Sequence, residues 1–155
     1  MSNEFVNLEN SRVEEQKRVM EQIVKDGVCP FCPEHLAKYH KKPILKEGVH
    51  WVLTPNQWPY SGAKHHYMLF SKKHLETLED LTPEAGAEMI ELFQGLAKEI
   101  GLTGGALAMR FGNEMKFGNS VKHLHVHLIE PDVENPEHEG LRFKISNPKV
   151  KKSDN

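Results

Sequence analysis

Residues 121–130 read VKHLHVHLIE, so histidine alternates with an apolar residue three times in one short stretch. Successive side chains of a β-strand point to opposite faces of the sheet, and a period of two therefore predicts a strand. One face should carry three imidazoles, and the other face should contribute to the core. The histidines are His123, His125 and His127, and the core residues between them are Leu124, Val126 and Leu128.

Three further segments have the composition of strands, and a fourth is a candidate edge strand near the end of the chain. They are GVHWVL, HHYMLF and GALAMRF, followed by LRFKI at 141–145. Thr82 and Pro83 are typical of a helix start and Gly101 of a helix end, which predicts one long helix between them. Its expected buried residues are Met89, Ile90, Phe93, Leu96 and Ala97. The predicted class is α+β, with a five-stranded antiparallel sheet and one long crossing helix.

The termini lie outside this pattern. Residues 11–26 predict an N-terminal helix with a capping box formed by Ser11 and Glu14, and with Gly27 as its end. We expect a helical extension over 1–26, a catalytic domain over 27–131, and a C-terminal tail over 132–155 with the possible edge strand.

The composition excludes several classes of protein. The chain has 155 residues, 38% of them hydrophobic and 27% charged, which is typical of one globular domain. A net charge of −2 argues against a nucleic-acid partner, because no overall positive potential attracts phosphates. No apolar run approaches the ~20 residues of a membrane span, and the N-terminus lacks the pattern of a signal peptide. A cytoplasmic protein without a membrane partner is expected.

Two chemical interpretations of the histidine row remain open at this point. Histidines at alternate strand positions can place two nitrogens on one catalytic zinc ion. Alternatively, one imidazole is a nucleophile toward phosphorus, provided that its other nitrogen donates a proton to a fixed acceptor. The preceding FGNSV favours the nucleophile, because its glycine backbone and the hydroxyl of Ser120 suit phosphate oxygens.

The cysteine pair also has two interpretations. Cys29 and Cys32 are the only cysteines, spaced C-x-x-C, which is typical of a metal site or a redox pair. The βαβ context of a thioredoxin-like pair is absent. A structural zinc needs two more ligands, and His35 is one nearby candidate.

The motifs resemble a known family. GNSVKHLHVHLI is similar to the defining run of the histidine triad (HIT) superfamily of nucleotide hydrolases and transferases, and NQWPYSGAKHHYMLFSKKH resembles its upstream block. By this resemblance the fold is HIT-like and His125 attacks the α-phosphorus of a nucleotide conjugate, a phosphoramidate or a dinucleoside polyphosphate. A covalent nucleotidyl-histidine then forms, and its hydrolysis makes the protein a hydrolase of phosphoric anhydride or phosphoramide bonds.

The resemblance also implies roles for other residues. The expected catalytic set is His125, His127, His66 and Ser120, and the expected substrate-binding set is Asn56, Asn113 and His123. In bacterial members, a structural zinc is held by residues that match Cys29, Cys32, His74 and His123. A purine nucleotide substrate, a homodimer and no organic cofactor are implied as well. The alternatives are a zinc metalloprotein whose histidine row binds the metal, and a zinc-stabilised nucleotide-binding module without turnover.

Overall fold

An antiparallel sheet of five strands organises the molecule. The computed structural model describes residues 4–112 and 116–149. The strands are β1 (Lys46–Glu47), β2 (Trp51–Pro55), β3 (Ala63–Ser71), β4 (Ala106–Met109) and β5 (His125–Pro131), and the helices are α1 (Glu14–Asp26), α2 (Pro33–Tyr39) and α3 (Pro83–Ile100). Short 3-10 turns lie at Leu8–Asn10 and Leu78–Asp80. The strand order is β1-β2-β3-β5-β4, with every pair antiparallel. The predicted class is confirmed.

Helix α3 covers one face of the sheet and forms the main core with it. The Thr82 side chain accepts a hydrogen bond from the Ala85 amide at 3.2 Å, and Gly101 ends the helix with φ +65°. Both predicted ends of the helix are therefore confirmed. The fully buried side chains opposite it are Trp51, Leu53 and Leu69, each worth about 1.5–3 kcal/mol of transfer free energy. Ile90 was expected inside but is 41% exposed, because it lies at the side of the contact.

The other face of the sheet carries the histidines and is covered by the N-terminal segment. Helix α1 packs through Met20 and Ile23 in a cluster that includes Tyr39 and Val121. Phe31, between the two cysteines, stacks on Phe70 of β3 with ring centroids 4.1 Å apart. The N-terminal extension therefore forms the layer above the histidine face.

One predicted helix end differs from the structure. The helix predicted from residue 11 begins at Glu14, and its N-cap Val13 makes no side-chain cap hydrogen bond. The capping box is wrong, because the Ser11 hydroxyl contacts Met20 Sδ at 3.1 Å instead of a helical amide. The predicted end at Gly27 is confirmed, with φ +67°. Helix α2, which begins directly after Cys32, was not predicted from the sequence.

The fifth strand is not the one that the C-terminal sequence suggested. Residues 141–145 form no strand, because Phe143 and Lys144 instead pack over the histidine face. The edge position is taken by the two-residue β1, which pairs with β2. Within the described ranges, no helix is both long and apolar enough to cross a bilayer.

Glu88 of α3 holds the turn between β1 and β2. Its carboxylate accepts hydrogen bonds from the amides of Val49, His50 and Trp51 at 2.7, 2.8 and 3.1 Å. Burial raises the pKa of Glu88, but these amides outweigh it, and the net pKa is lowered. Three charge-assisted hydrogen bonds onto one carboxylate fix the entry of the chain into β2.

We expect Glu88→Ala to lower the free energy of unfolding by about 2 kcal/mol, because three amides lose a charged acceptor and return only partly to water. Urea unfolding measured by circular dichroism gives the value. Glu91→Ala, an exposed change on the same helix, is the matched control and should leave the midpoint within experimental error. Equal effects of the two changes would contradict the role of Glu88.

Candidate active site and metal centre

Strands β3 and β5 bring three imidazoles to one face of the sheet. In their register Phe70 pairs with His125, Met68 with His127, and His66 with Ile129. Directly paired residues of antiparallel strands lie on the same face, so His66 joins His125 and His127 there. All three imidazoles are buried, at 4–5% exposure. His65, the alternative to His66, points to the other face and contacts Glu130 at 2.7 Å.

The tautomer of His125 is fixed by its own strand. Its Nδ1 lies 2.6 Å from the carbonyl oxygen of His123. A carbonyl only accepts hydrogen bonds, so Nδ1 carries the proton and donates it. The lone pair of the neutral ring is therefore on Nε2. This is the tautomer that a nucleophilic imidazole requires.

A chain of hydrogen bonds fixes the other tautomer on His127, with the proton on Nε2. The backbone amide of Tyr60 donates to His66 Nδ1 at 3.1 Å, which leaves the proton of neutral His66 on Nε2. That Nε2 donates to His127 Nδ1 at 2.8 Å, so His127 carries its own proton on Nε2. Asn56 Nδ2 also lies 3.1 Å from His66 Nε2, but the Asn56 oxygen accepts from the Trp58 amide, so both nitrogens are donors and this contact is not a hydrogen bond.

The donor at the end of this chain is unsatisfied. His127 Nε2 is buried and has no hydrogen-bond partner among the described residues. A buried donor without a partner costs about 1–3 kcal/mol, and an acceptor supplied by a ligand would remove that cost. The site therefore offers a lone pair on His125 and a donor on His127.

Burial keeps these rings neutral. Loss of hydration lowers the pKa of His125 to about 4 and that of His66 to about 3, and it lowers the pKa of His127 well below its ordinary value. The guanidinium of Arg110 lowers all three further. Near neutral pH the lone pair of His125 Nε2 is therefore available.

A cavity of about 390 Å³ lies in front of His125 and His127. An apolar lobe adjoins His125, whose ring centroid is 5.1 Å from that of Phe31; it is lined by Val19, Met20, Ile23, Phe31, Met68 and Phe70. A cationic lobe adjoins His127 through Tyr60, whose ring centroid is 5.6 Å away; it is lined by Tyr60, Arg12, Arg110, Arg142 and Lys144. The apolar lobe is therefore next to His125, and the cationic lobe is next to His127.

The other predicted site residues divide into three groups. Ser120 and Asn56 line the cavity, and the Asn56 oxygen accepts the Trp58 amide at 2.8 Å. Asn113 lies outside the described residues. His123 is not among the cavity-lining residues, and the expectation that it binds substrate has no support from its position.

Sequence reasoning missed the three arginines of the cavity, Arg12, Arg110 and Arg142. Arg12 lies in the extension that was set apart from the catalytic domain. Arg110 follows β4 two residues after Ala108, which pairs with His127. Continuing the strand alternation from Ala108 would have placed Arg110 on the histidine face.

A second cluster joins the cysteines to two histidines. The potential ligand atoms of Cys29, Cys32, His74 and His123 lie within 4.8 Å of one another. The S–N separations are 3.4 Å from Cys29 and 3.5 and 3.8 Å from Cys32, and the two Nδ1 atoms are 3.2 Å apart. Tetrahedral zinc, with bonds of about 2.3 Å to sulfur and 2.0–2.1 Å to nitrogen, requires about 3.6 and 3.3 Å. The cluster could therefore bind a metal ion.

The outer nitrogens of both histidines are already engaged. His123 Nε2 donates to the Ser71 carbonyl at 2.6 Å, and His74 Nε2 donates to Glu76 Oε1 at 2.9 Å. Each Nδ1 is left as a lone pair that points into the cluster, which is the usual second-shell arrangement of metal-binding histidines. His35 contacts Glu34 and lies outside the cluster.

Without a cation the thiols would stay protonated. Burial raises the pKa of Cys29, and burial together with the neighbouring Cys29 raises the pKa of Cys32 to about 12. A bound divalent ion would supply the charge that stabilises two thiolates.

Comparisons with known proteins agree with this geometry. The model of the HIT domain family matches residues 59–133. An uncharacterized HIT-like protein of Chlamydia muridarum is 28% identical over 86 residues, 54% of this chain and 66% of the relative. The match thus spans slightly under two thirds of that relative's length. One from Chlamydia trachomatis is 29% identical over 86 residues, which cover 54% and 75% of the two chains.

Solved structures share the fold. A HIT family hydrolase from Clostridium thermocellum is 21% identical, with a TM-score of 0.52, and the alignment covers 70% of this chain and 95% of that one. A zinc-bound histidine triad family protein from Mycobacterium smegmatis, also 21% identical, has a TM-score of 0.54 and coverages of 77% and 84%. The domain match includes the GNSVKHLHVHLI run, the upstream block from Pro59 onward, and the imidazoles of His66, His125 and His127. Residues 59–133 therefore match the HIT domain, and the fold of the chain is similar to that of HIT family structures.

Proposed function

We propose that this protein is a nucleotide hydrolase or nucleotidyl transferase that cleaves a nucleotide conjugate at its α-phosphate through a covalent nucleotidyl-His125 intermediate. One observation carries the proposal. The hydrogen bond from His125 Nδ1 to the His123 carbonyl leaves a neutral nitrogen lone pair at the floor of a cavity. That lone pair is the electron source for attack on phosphorus.

The steps follow from the two tautomers. His125 Nε2 forms a bond to the α-phosphorus while the bond to the leaving group breaks, and the leaving group takes the bonding electrons. The free donor on His127 Nε2 hydrogen-bonds the leaving group or a phosphate oxygen as negative charge develops. A water molecule then bonds to phosphorus, Nε2 departs, and the nucleoside monophosphate is released. His66 positions His127 by hydrogen bonding.

The apolar lobe is the proposed site of the base and ribose. Its aromatic, aliphatic and thioether side chains would exclude water from a planar purine, the base that we propose. Both Asn56 and Ser120 line the cavity; Asn56 is proposed to bind the ribose hydroxyls, and Ser120 is proposed to contact the phosphate. Asn113 keeps its proposed phosphate contact from the sequence motif alone.

Zinc is the proposed metal of the Cys29 cluster. Two thiolates and two imidazoles are ligands that zinc prefers, and the separations match a closed tetrahedral site. When bound, the ion would link the segment that contains Cys29 and Cys32 to the residues before β5. The ligands are not among the cavity-lining residues, so we propose that the chemistry at His125 does not use this metal. No organic cofactor is proposed.

A metalloenzyme that uses the histidine row as its ligand set receives less support. The Nδ1 atoms of His125 and His127 are engaged by a carbonyl and by another imidazole. The metal-capable group found among the described residues takes only His123 from the row. A nucleotide-binding module without turnover remains the second candidate, since the same cavity would serve it.

The remaining proposals concern the context of the chain. We keep residues 27–131 as the proposed catalytic domain, with 1–26 and 132–155 as flanking segments. A homodimer and a cytoplasmic location are proposed from the family resemblance and from cysteines that would stay reduced there. Nucleic acid and membranes are not proposed as partners.

The direct test is release of AMP from adenosine phosphoramidate and from diadenosine polyphosphates by the purified wild-type protein. Release should continue after brief treatment with a chelator while circular dichroism shows that the fold persists. Loss of release with the fold intact would favour a metal-dependent reaction. Nucleotide binding without release from any conjugate would favour the binding module.

A further inference from the structure

The cationic lobe has no assigned role in the transfer to His125. It consists of Arg12, Arg110, Arg142 and Lys144 around Tyr60. Within the described parts of the chain, no carboxylate lies within ion-pair distance of Arg12, Arg110 or Lys144. Four positive charges in the lining of one cavity, with Glu9 as the only acidic lining residue, make a site for negative charge.

Aromatic rings fix two of the three guanidinium groups in this lobe. The Arg12 guanidinium lies 3.9 Å from the centre of the Tyr60 ring and also donates to the Trp58 carbonyl. The Arg110 guanidinium lies 3.7 Å from the centre of the Phe143 ring and donates to the Tyr60 hydroxyl at 3.1 Å. Stacked guanidinium groups keep their remaining N–H donors free and already oriented.

The position of the lobe relative to the two catalytic candidates decides its use. The rings that hold the arginines, Tyr60 and Phe143, lie 5.6 and 5.2 Å from the ring of His127. Phe31 and the apolar lobe instead adjoin His125. If the base and ribose occupy the apolar lobe, the group that leaves phosphorus passes His127 and enters the cationic lobe.

The segments that flank the sheet build this lobe together. Arg110 Nε donates to the Lys144 carbonyl at 2.7 Å, and Lys144 Nζ donates to the Asn10 side chain. The chain before α1 and the chain after β5 thus meet at the cavity. The extension and the tail therefore both contribute residues to the cavity.

We propose that the cationic lobe is a subsite for a phosphate-bearing leaving group, so that the preferred substrates are dinucleoside polyphosphates or similar anhydrides and not amine conjugates. This inference rests on the proposed function, because it names the leaving group of that reaction. Arg12 and Arg110 hydrogen-bond the phosphates beyond the scissile bond, and Arg142 and Lys144 add positive potential.

The test compares two substrates that share the same adenylyl half. Adenosine phosphoramidate releases a neutral amine, and diadenosine tetraphosphate releases ATP, which carries three phosphates. We expect the double variant Arg12→Gln/Arg110→Gln to lower the ratio of their kcat/KM values, polyphosphate over phosphoramidate, by about 10-fold or more. The double variant Arg12→Lys/Arg110→Lys should recover part of the ratio, because it keeps the charge. Arg18→Gln, on an exposed arginine of α1 paired with Glu14, should leave both rates unchanged.

Binding measurements keep the test independent of turnover. By calorimetry the wild type should bind ATP more tightly than AMP, and Arg12→Gln/Arg110→Gln should abolish that difference. Arginine-dependent preference for ATP without turnover of any conjugate would refute the proposed function and leave the subsite standing. Turnover with an unchanged substrate ratio in the variant, or a wild type that prefers the phosphoramidate, would overturn the subsite.

Discussion

The His125→Ala variant is expected to lose AMP release by about 10³-fold or more at pH 7 while it remains folded. The change removes the lone pair that bonds to phosphorus, and removal of a nucleophile typically costs more than removal of a binding contact. His127→Ala should lose less, about 10²-fold, because a donor to developing charge is removed and the nucleophile stays. Initial rates on the same conjugate, with thermal unfolding of each variant, give the measurement.

His65→Ala is the matched control for these changes. This histidine precedes His66 on β3 but faces Glu130 on the other side of the sheet. The rate of AMP release by this variant should stay close to that of the wild type, although the contact between His65 and Glu130 contributes to stability. Wild-type release by His125→Ala, or an equal loss in His65→Ala, would contradict the assignment of the nucleophile.

The pH dependence provides a second readout of the same group. Attack needs neutral His125, and burial lowers its pKa to about 4 from an ordinary 6.5. The value of kcat/KM should therefore stay level as the pH falls through 6.5 and decline only near 4. Because the pKa of His125 is lower in the folded protein than in the unfolded chain, the unfolded chain binds a proton at a higher pH. The free energy of unfolding therefore decreases as the pH falls from 6.5 to 4. Circular dichroism at each pH separates the two effects, and an acid limb at 6.5 would contradict a buried neutral nucleophile.

Removal of the metal is expected to have the largest effect on stability. The wild-type protein should contain about one zinc per chain, and its loss should lower the unfolding temperature by about 10 °C or more. A ligand present at 1,000 times its Kd stabilises the folded state by about 4 kcal/mol, and a structural zinc site in a chain of this size reaches that range. Elemental analysis and thermal unfolding with and without chelator measure both quantities.

Cys29→Ala/Cys32→Ala should carry no zinc and should show the low unfolding temperature without chelator. His35→Ala is the control, because His35 follows the cysteine pair closely but lies outside the cluster. It should retain both zinc and the wild-type unfolding temperature. A wild type that neither contains zinc nor is stabilised by added zinc would contradict the metal proposal.

The local sequence pattern predicted the structure correctly where strand alternation or helix-capping residues determine it. The alternation in residues 123–128 predicted which side chains share a face, and Thr82 with Gly101 predicted the limits of α3. The pattern failed at LRFKI, because five alternating residues do not specify a partner strand. Arg110 and the aromatic rings instead hold that segment over the histidine face.

The sequence by itself determined the chemistry that is available: a row of histidines, a C-x-x-C pair and an α+β sheet to carry them. Only the tertiary structure decided how those groups are used. The His123 carbonyl sets the tautomer of His125, and the Tyr60 amide sets that of His127 through His66. Arg12 and Arg110 meet around Tyr60 although 98 positions separate them in the chain. Such contacts depend on packing between distant segments, and no local period of the sequence records them.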